Sequence, residues 1–348
     1  METPDEYFRS YENLEVHGLM LSDNPRMTAY KNAILDKKYL FHNKIVMDVG
    51  AGTGILSIFC AQAGAAKVYS VEASKLSELI DQVVDENNYK QVIKIIPHKL
   101  EDIKLEIDEK VDIIVSEWMG FYLVHEGMLD TILTARDRFL KSDGLIFPCI
   151  AKLYAVPCQV PYLFEFWENI YGVKMTCIGK AMREQKSSKP EIILVDPKDI
   201  IAEEKILAWI DLKSATSDDL NTIGGQDLVF PSTKNGKFEG VCIWWDVEFH
   251  DDLILSTSPS EPPTHWKQTL ITLPNNCQVE QGEPIAFRVT LNRDNDNDRR
   301  KYNLELVVLN PDEADHDLPC SCHFTKCIVA REYLKHHSQE IDTNNGFE

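Results

Sequence analysis

Residues 47–65 read MDVGAGTGILSIFCAQAGA: an apolar run closes on Asp48, glycines stand at 50, 52 and 54, and helical patterning follows at once. Glycine accepts backbone angles that a side chain would forbid. Gly50, Gly52 and Gly54 therefore let a strand turn tightly into a helix and let a ligand approach the backbone beside the helix N-terminus. This is the pattern of a nucleotide-type site. Its spacing is G-x-G-x-G, whereas the dinucleotide fingerprint G-x-G-x-x-G needs glycine or alanine where Ile55 stands. Glu72 closes the next apolar run, VYSVE, about twenty residues on, where a carboxylate can accept both hydroxyls of a ribose. Asp48 is expected to reach the amino-acid end of such a cofactor. The alternative is a ligand-free glycine turn with an acid that merely caps a strand.

Outward from this stretch, residues 43–147 alternate short apolar strands with helical segments: KIVMDV, ILSIFCAQA, KVYSVE, a helix ending near Asn88, VIKIIP and VDIIVS. The alternation predicts an α/β domain with a parallel sheet covered on both faces. Over residues 148–327 the period falls to two. Val241, Ile243, Trp245, Val247 and Phe249 share one face, as do Ile285, Phe287, Val289 and Leu291, so an antiparallel β-barrel or sandwich is expected. Residues 1–42 carry helical patterning and are expected to lie over the carboxyl end of the sheet as a lid. The polar run NRDNDNDRRK from Asn292 reads as a hairpin loop or a mobile insertion, and residues 328–348 as a fraying tail.

The chain has 348 residues, 44% of them hydrophobic, and a formal net charge of −20. Length and apolar content suit two domains with substantial cores. The acidic balance opposes binding to nucleic-acid phosphates and favours a cationic partner, although acidity also serves plain solubility. No stretch reads as a secretory signal or a bilayer span, so neither membrane nor secretion is expected, and residence is expected in the nucleus, the cytoplasm or both. Nine cysteines scattered through both halves argue for reduced thiols. Cys320, Cys322, His323 and Cys327 form one cluster, but they lack paired C-x-x-C spacing. A buried β-strand carrying small thiols explains them, and no metal is expected.

A second constellation, SEWMGFYLVHEGML at residues 116–129, leaves the strand VDIIVS as a glycine-containing loop bearing Glu117 and Glu126. Two carboxylates at a strand's carboxyl end can converge on one cation. A planar guanidinium suits them, because its fixed fork of donors pairs bidentately with carboxylates as an ammonium cannot. The plain alternative is a solvated loop with two incidental glutamates.

These stretches resemble the protein arginine N-methyltransferases, and within them the type I class that forms asymmetric dimethylarginine. The resemblance runs from Tyr7 to about Cys327 and rests on YFRSY at Tyr7–Tyr11, VGAGTGI at Val49–Ile55, the double-glutamate loop and THWKQT at Thr264–Thr269. It implies a Rossmann-like domain, a β-barrel and S-adenosyl-L-methionine as cofactor. The implied cofactor residues are Tyr11, Arg26 toward the carboxylate, Asp48, Gly50, Gly52 and Gly54 at the methionine end, Glu72 at the ribose, and Leu100 with Glu101 at the adenine. Glu117 and Glu126 correspond to the family's catalytic glutamates, and His265 to the histidine that pairs with Asp23. Met20, Met128 and Trp266 are implied at the substrate pocket. Residues like FWENIYGVKM, from Phe166, form an arm in the family (about residues 160–185) that docks on a second subunit, so a homodimer is implied. Arginine-containing proteins, Arg/Gly-rich or histone, are the implied substrates. Asn13 stands where several members carry histidine, and Phe121 replaces a frequent tyrosine.

The residues also leave readings open. Met20 and Met128 fit ordinary core packing as well as a product-specifying role, and His265 fits a structural tie through Asp23 as well as a proton relay. The competing functions are a cofactor-binding scaffold with little turnover, a small-molecule methyltransferase and an NAD-dependent oxidoreductase, the last disfavoured by the glycine spacing.

Overall fold

The computed structural model describes residues 13–104, 107, 109–294 and 299–344. Among the described residues three helices precede the first strand: α1 (Leu14–Ser22), α2 (Asn24–Leu35) and α3 (Lys38–Phe41). Asn13 caps α1 by accepting the Glu15 N–H, and Asp23 caps α2 by accepting the Arg26 N–H at 3.1 Å, so two short polar side chains set a sharp helix–helix corner.

Five strands follow: β1 (Ile45–Val49), β2 (Lys67–Val71), β3 (Ile93–Ile96), β4 (Val111–Val115) and β5 (Leu140–Phe147). They form one parallel sheet in the order β3-β2-β1-β4-β5. Helices α4 (Ile55–Gln62), α5 (Leu76–Glu86) and α6 (Leu129–Phe139) make the β1–β2, β2–β3 and β4–β5 crossovers. Four residues of β1 and four of β2 are buried in succession, as a sheet covered on both faces requires. In α5, Leu76, Ile80 and Val84 are buried at four-residue spacing and form its core-facing stripe. Strand order reverses between β1 and its neighbours β2 and β4. An open α/β sheet places its ligand crevice there, at the strands' carboxyl ends.

The second domain is a barrel of two antiparallel sheets. One runs β7 (Glu191–Ile193), β12 (Gln268–Val279), β10 (Gly236–Glu248), β6 (Ile150–Cys158) and β8 (Lys205–Asp211), with β11 (Ile254–Ser256) on β10; the other runs β14 (Tyr302–Val308), β13 (Pro284–Arg293) and β9 (Thr222–Pro231). The period-two reading holds for β13 but not for β10, which is buried on both faces from Phe238 to Trp245. Between β6 and β7 runs an excursion comprising α7 (Pro161–Phe164), a 3₁₀ turn at Glu165–Glu168 and α8 (Thr176–Lys186). Arg183 of α8 pairs with Glu239 of β10 at 2.6 Å and lies 3.8 Å from the Phe164 ring, so the base of this excursion covers the barrel. Its far end shows Phe166, Val173 and Ile178 to solvent, and Tyr171 is fully exposed.

Two expectations at the C-terminus are corrected. Residues 325–344 form a helix, α9, rather than a fraying tail. Cys320 and Cys322 lie in the loop after β14 and Cys327 in α9, not in a β-strand, and the imidazole beside their sulfurs belongs to His316 rather than His323. The β13–β14 connection is a hairpin, closed by Arg293 opposite Tyr302, with residues 295–298 outside the described residues. Among the described residues no helix is long and apolar enough to cross a membrane.

Candidate active site

A cavity of about 380 Å³ opens at the carboxyl end of the parallel sheet, within the range that suits a small-molecule ligand. Its floor is the glycine turn. Gly50, Gly52 and Gly54 have φ of 72°, 56° and 80°, so each occupies the left-handed region that side chains disfavour. A Cβ on Gly50 would stand 2.2 Å from the Met128 methyl, so the absent side chain is what lets Met128 close over the turn. Gly50 and Gly52 line the cavity; Gly54 lies behind it and starts α4.

Glu72 follows β2 and lines one wall. Its two oxygens accept the Gly52 and Ser74 N–H groups, each at 2.8 Å, which locks the carboxylate to the glycine turn. Leu100 and Glu101, in a 3₁₀ turn at Leu100–Asp102, form the next stretch of wall, and Glu101 accepts the Thr131 hydroxyl at 2.8 Å. Asp48 departs from expectation. It is fully buried beneath the glycine turn, accepts the Ser57 hydroxyl at 2.6 Å, and is absent from the cavity wall. Burial is the largest influence on its carboxyl and raises it to about 7 against the lowering by Ser57. Strand β1 points this side chain into the sheet–helix interior, where it lies beneath the turn.

At the opposite end the double-glutamate loop leaves β4. Tyr122, Leu123 and Glu126 all have positive φ, at 41°, 71° and 75°. Such conformations cost energy in non-glycine residues and persist only where the surroundings hold them. The barrel does the holding: the Trp245 indole donates to the Gly120 carbonyl and the Trp266 indole to the Met119 carbonyl, each at 3.1 Å, while the Glu126 N–H donates to the Arg300 carbonyl at 3.0 Å. Trp245 and Trp266 meet edge to face at 4.8 Å, and Trp266 also lines the cavity.

Glu117 and Glu126 face one cavity with Arg26, Met20 and Met128. Arg26 donates through Nε (3.1 Å) and Nη2 (2.8 Å) to one oxygen of Glu117, and through Nη1 to the Met20 carbonyl at 2.9 Å. The other Glu117 oxygen accepts the Met119 N–H at 3.2 Å. Both side chains are about a tenth exposed, so this charge-assisted pair is poorly screened and fixes Glu117 in one orientation. His265 lies at the cavity edge, where its Nδ1 is 2.6 Å from Asp23 and its N–H donates to the same oxygen at 2.8 Å. Burial alone would raise the Asp23 carboxylate, but the hydrogen bonds from His265 and Arg26 outweigh it and hold it below its ordinary range. Tyr11 lies outside the described residues.

Several residues at the site escaped sequence reasoning. His17 of α1 sits over Gly52 and lines the cavity. Tyr30 ties α2 to the Ser116 carbonyl at 2.9 Å. Arg300, inside a polar run that reads as a solvent loop, reaches the cavity because the β13–β14 hairpin folds back on Glu126. Chain-distant contacts of this kind leave no local pattern.

A parallel-sheet domain with a glycine turn and a ribose-type acid, closed by a barrel that braces two glutamates, defines a two-domain methyltransferase architecture. Residues 31–144 match the ribosomal protein L11 methyltransferase family, and residues 149–308 match the arginine methyltransferase oligomerization subdomain. Probable protein arginine N-methyltransferase 6 of Arabidopsis thaliana is 34% identical over 86% of this chain and 78% of its own length. Protein arginine N-methyltransferase 8-B of Danio rerio is 38% identical over 86% and 71%. The Trypanosoma brucei PRMT1 enzyme–prozyme heterotetrameric complex with AdoHcy superposes with a TM-score of 0.76 at 33% identity, covering 88% of this chain and 97% of that one. The chain belongs to the protein arginine N-methyltransferase family.

Proposed function

We propose that this protein transfers methyl groups from S-adenosyl-L-methionine to arginine guanidino nitrogens of proteins, and that it is a type I enzyme whose end product is asymmetric dimethylarginine. The observation carrying the reading is the single cavity whose one end is built from the glycine turn, Glu72 and Glu101 and whose other end is built from Arg26, Glu117 and Glu126. The donor set fits the cofactor: an acid for ribose hydroxyls, a cation for an α-carboxylate, and a glycine floor that a Cβ would fill. When bound, S-adenosylmethionine supplies an electrophilic sulfonium methyl.

The protein's task is to make a guanidinium nucleophilic. In water its charge is delocalised and its pKa exceeds about 12, so it attacks poorly. Glu117 and Glu126 draw that positive charge toward the nitrogens they contact and leave lone-pair density on the nitrogen facing the methyl. Positive charge builds on the guanidino group as transfer proceeds, so both carboxylates bind the transition state more strongly than the ground state. Arg26 orients Glu117 and offers its remaining face to a carboxylate. The proton lost afterwards leaves through Glu126 or the His265–Asp23 pair. Holding nucleophile and methyl in line contributes up to roughly 7–11 kcal/mol in well-oriented systems.

Met20 and Met128 beside the glutamates support the type I assignment, and the exposed aromatic tip around Tyr171 supports a homodimer made through the arm. The net charge of −20 suits arginine-rich partners. The test is incubation of the purified chain with radiolabelled S-adenosylmethionine and an Arg/Gly-rich peptide, followed by amino-acid analysis. Label in asymmetric dimethylarginine is expected. Symmetric product would overturn the type I assignment, and cofactor binding without transfer to arginine would favour the scaffold.

A further inference from the structure

The loop between β14 and α9 carries a cluster that the methyltransferase site does not use. It lies beyond residue 308, outside the stretch that matches the oligomerization subdomain. Nδ1 of His316 lies 3.5 Å from the Cys320 sulfur, 3.5 Å from Cys322 and 3.2 Å from Cys327. All four ligand-type atoms lie within 4.8 Å of one another. A tetrahedral zinc with bonds of about 2.3 Å to sulfur and about 2.0–2.1 Å to nitrogen places its N and S ligands about 3.5 Å apart. We propose that His316, Cys320, Cys322 and Cys327 form a structural zinc site that pins α9 to the barrel.

The surroundings support a metal over a plain cluster of thiols. His316 Nε2 stands 2.8 Å from the Pro311 carbonyl, which can only accept. In the neutral ring the proton therefore sits on Nε2, and the Nδ1 lone pair faces the three sulfurs. A carbonyl partner of this kind is what fixes a ligating imidazole. The cysteines are 6%, 0% and 1% exposed and form a small cluster of their own, separate from the main core, with Phe324 packed on it. Residues 309–324, LNPDEADHDLPCSCHF, offer few apolar side chains to hold a fold, and a metal supplies what so short a segment cannot bury. Arg331 of α9 donates to the Cys320 and Cys322 carbonyls, the second at 3.0 Å. Its charge offsets the net negative charge of one zinc with three thiolates. The loop is tied to the barrel by the His323 N–H to the Gly282 carbonyl at 3.0 Å and by Lys205 to Asp317 at 2.7 Å. Three sulfurs and one nitrogen fill a tetrahedron, leaving no open position, so the role is structural. Loading converts three thiols to thiolates and releases three protons to solvent while the imidazole stays neutral.

The full chain, expressed with zinc and purified under reducing conditions without chelator, should carry about one zinc per chain by elemental analysis, falling below about a tenth in Cys327→Ser and Cys322→Ala. Cys277→Ser, an exposed cysteine elsewhere, should keep the metal. Because a ligand variant can fail by misfolding, the unmodified chain is also stripped and reloaded with cobalt(II), where the visible bands and thiolate charge-transfer absorption of a tetrahedral thiolate-rich site are expected. Metal removal should raise amide exchange across residues 309–344 by about tenfold or more and leave cofactor affinity unchanged. Wild-type protein with neither zinc nor a cobalt spectrum, or a disulfide among these cysteines under reducing purification, overturns the site. Bound metal whose removal leaves exchange in α9 unaltered overturns the pinning role.

Discussion

Replacing Glu117 by Gln preserves the size and planarity of the side chain and removes one charge from the cavity. In the structure one Glu117 oxygen accepts two N–H groups of Arg26 and the other accepts the Met119 N–H. The Gln carbonyl can keep Arg26, so the pair changes from charge-assisted to half-neutral. Hydrogen bonds to charged groups contribute about 1.5–3 kcal/mol and neutral ones about 0.5–1.5. Both side chains are about a tenth exposed, so solvent screening is limited. Folding stability should therefore fall by about 1–2 kcal/mol. Turnover should fall much further. A preorganised charge that strengthens in the transition state is worth about 10²–10³ in kcat, or about 2.7–4 kcal/mol. Cofactor Kd should move less than about tenfold, because Arg26 remains available to a carboxylate. Glu117→Gln combined with Glu126→Gln should be scarcely slower than the worse single variant, since the two act as a unit. The assay is steady-state transfer of radiolabel to an Arg/Gly-rich peptide, with cofactor affinity by calorimetry. Turnover near wild type with normal cofactor affinity would refute the charge-clamp argument and return this loop to a solvated turn.

Glu72→Ala should weaken cofactor binding by roughly 1.5–3 kcal/mol, because it removes a ribose acceptor and frees the Gly52 and Ser74 N–H groups; unchanged affinity in calorimetry would contradict the ribose role. Asp48 is raised to about 7 in the fold, so the stability associated with its protonated form is full below its unfolded value and declines as pH rises through the folded one. Relative to wild type, Asp48→Asn should gain about 1.4 kcal/mol between about pH 6 and about pH 8.5 in chemical denaturation. A pH-independent difference between the two would refute the buried, partly protonated carboxyl. Deleting residues 167–175 removes the arm's exposed tip while leaving the Arg183–Glu239 anchor, and monomers are expected in light scattering. A dimer of normal mass would exclude the arm as the contact.

What local pattern could carry was legible early. The glycines at 50, 52 and 54 permit the positive φ that the strand–turn–helix uses, and continuous apolar runs mark strands buried on both sides. The two-domain division follows from a change of period that needs no long-range information, whereas the arm was implied only by the family resemblance. The same reading failed where direction mattered. Asp48 stands one residue before the end of β1, with its side chain turned inward to the Ser57 hydroxyl of α4. β10 is buried on both faces from Phe238 to Trp245, and Arg183 of α8 reaches Glu239 within it, which a period-two count cannot register.

The sequence by itself determined the residue types: a glycine turn, an acid after β2, two glutamates in one loop, and a run of cysteines near the end. Tertiary structure decided their chemistry, because each group acquires its partner from far along the chain. Glu117 meets Arg26, the Trp245 and Trp266 indoles hold the loop carbonyls, and Arg300 takes the Glu126 backbone. His316, four residues before the first cysteine of its cluster, lay outside any spacing rule applied to it. Only the fold of the loop after β14 turns its Nδ1 toward three sulfurs, with the Pro311 carbonyl holding the other nitrogen. A carboxylate or an imidazole is set to its task by the donors and charges within hydrogen-bond reach, and those are a property of the folded chain.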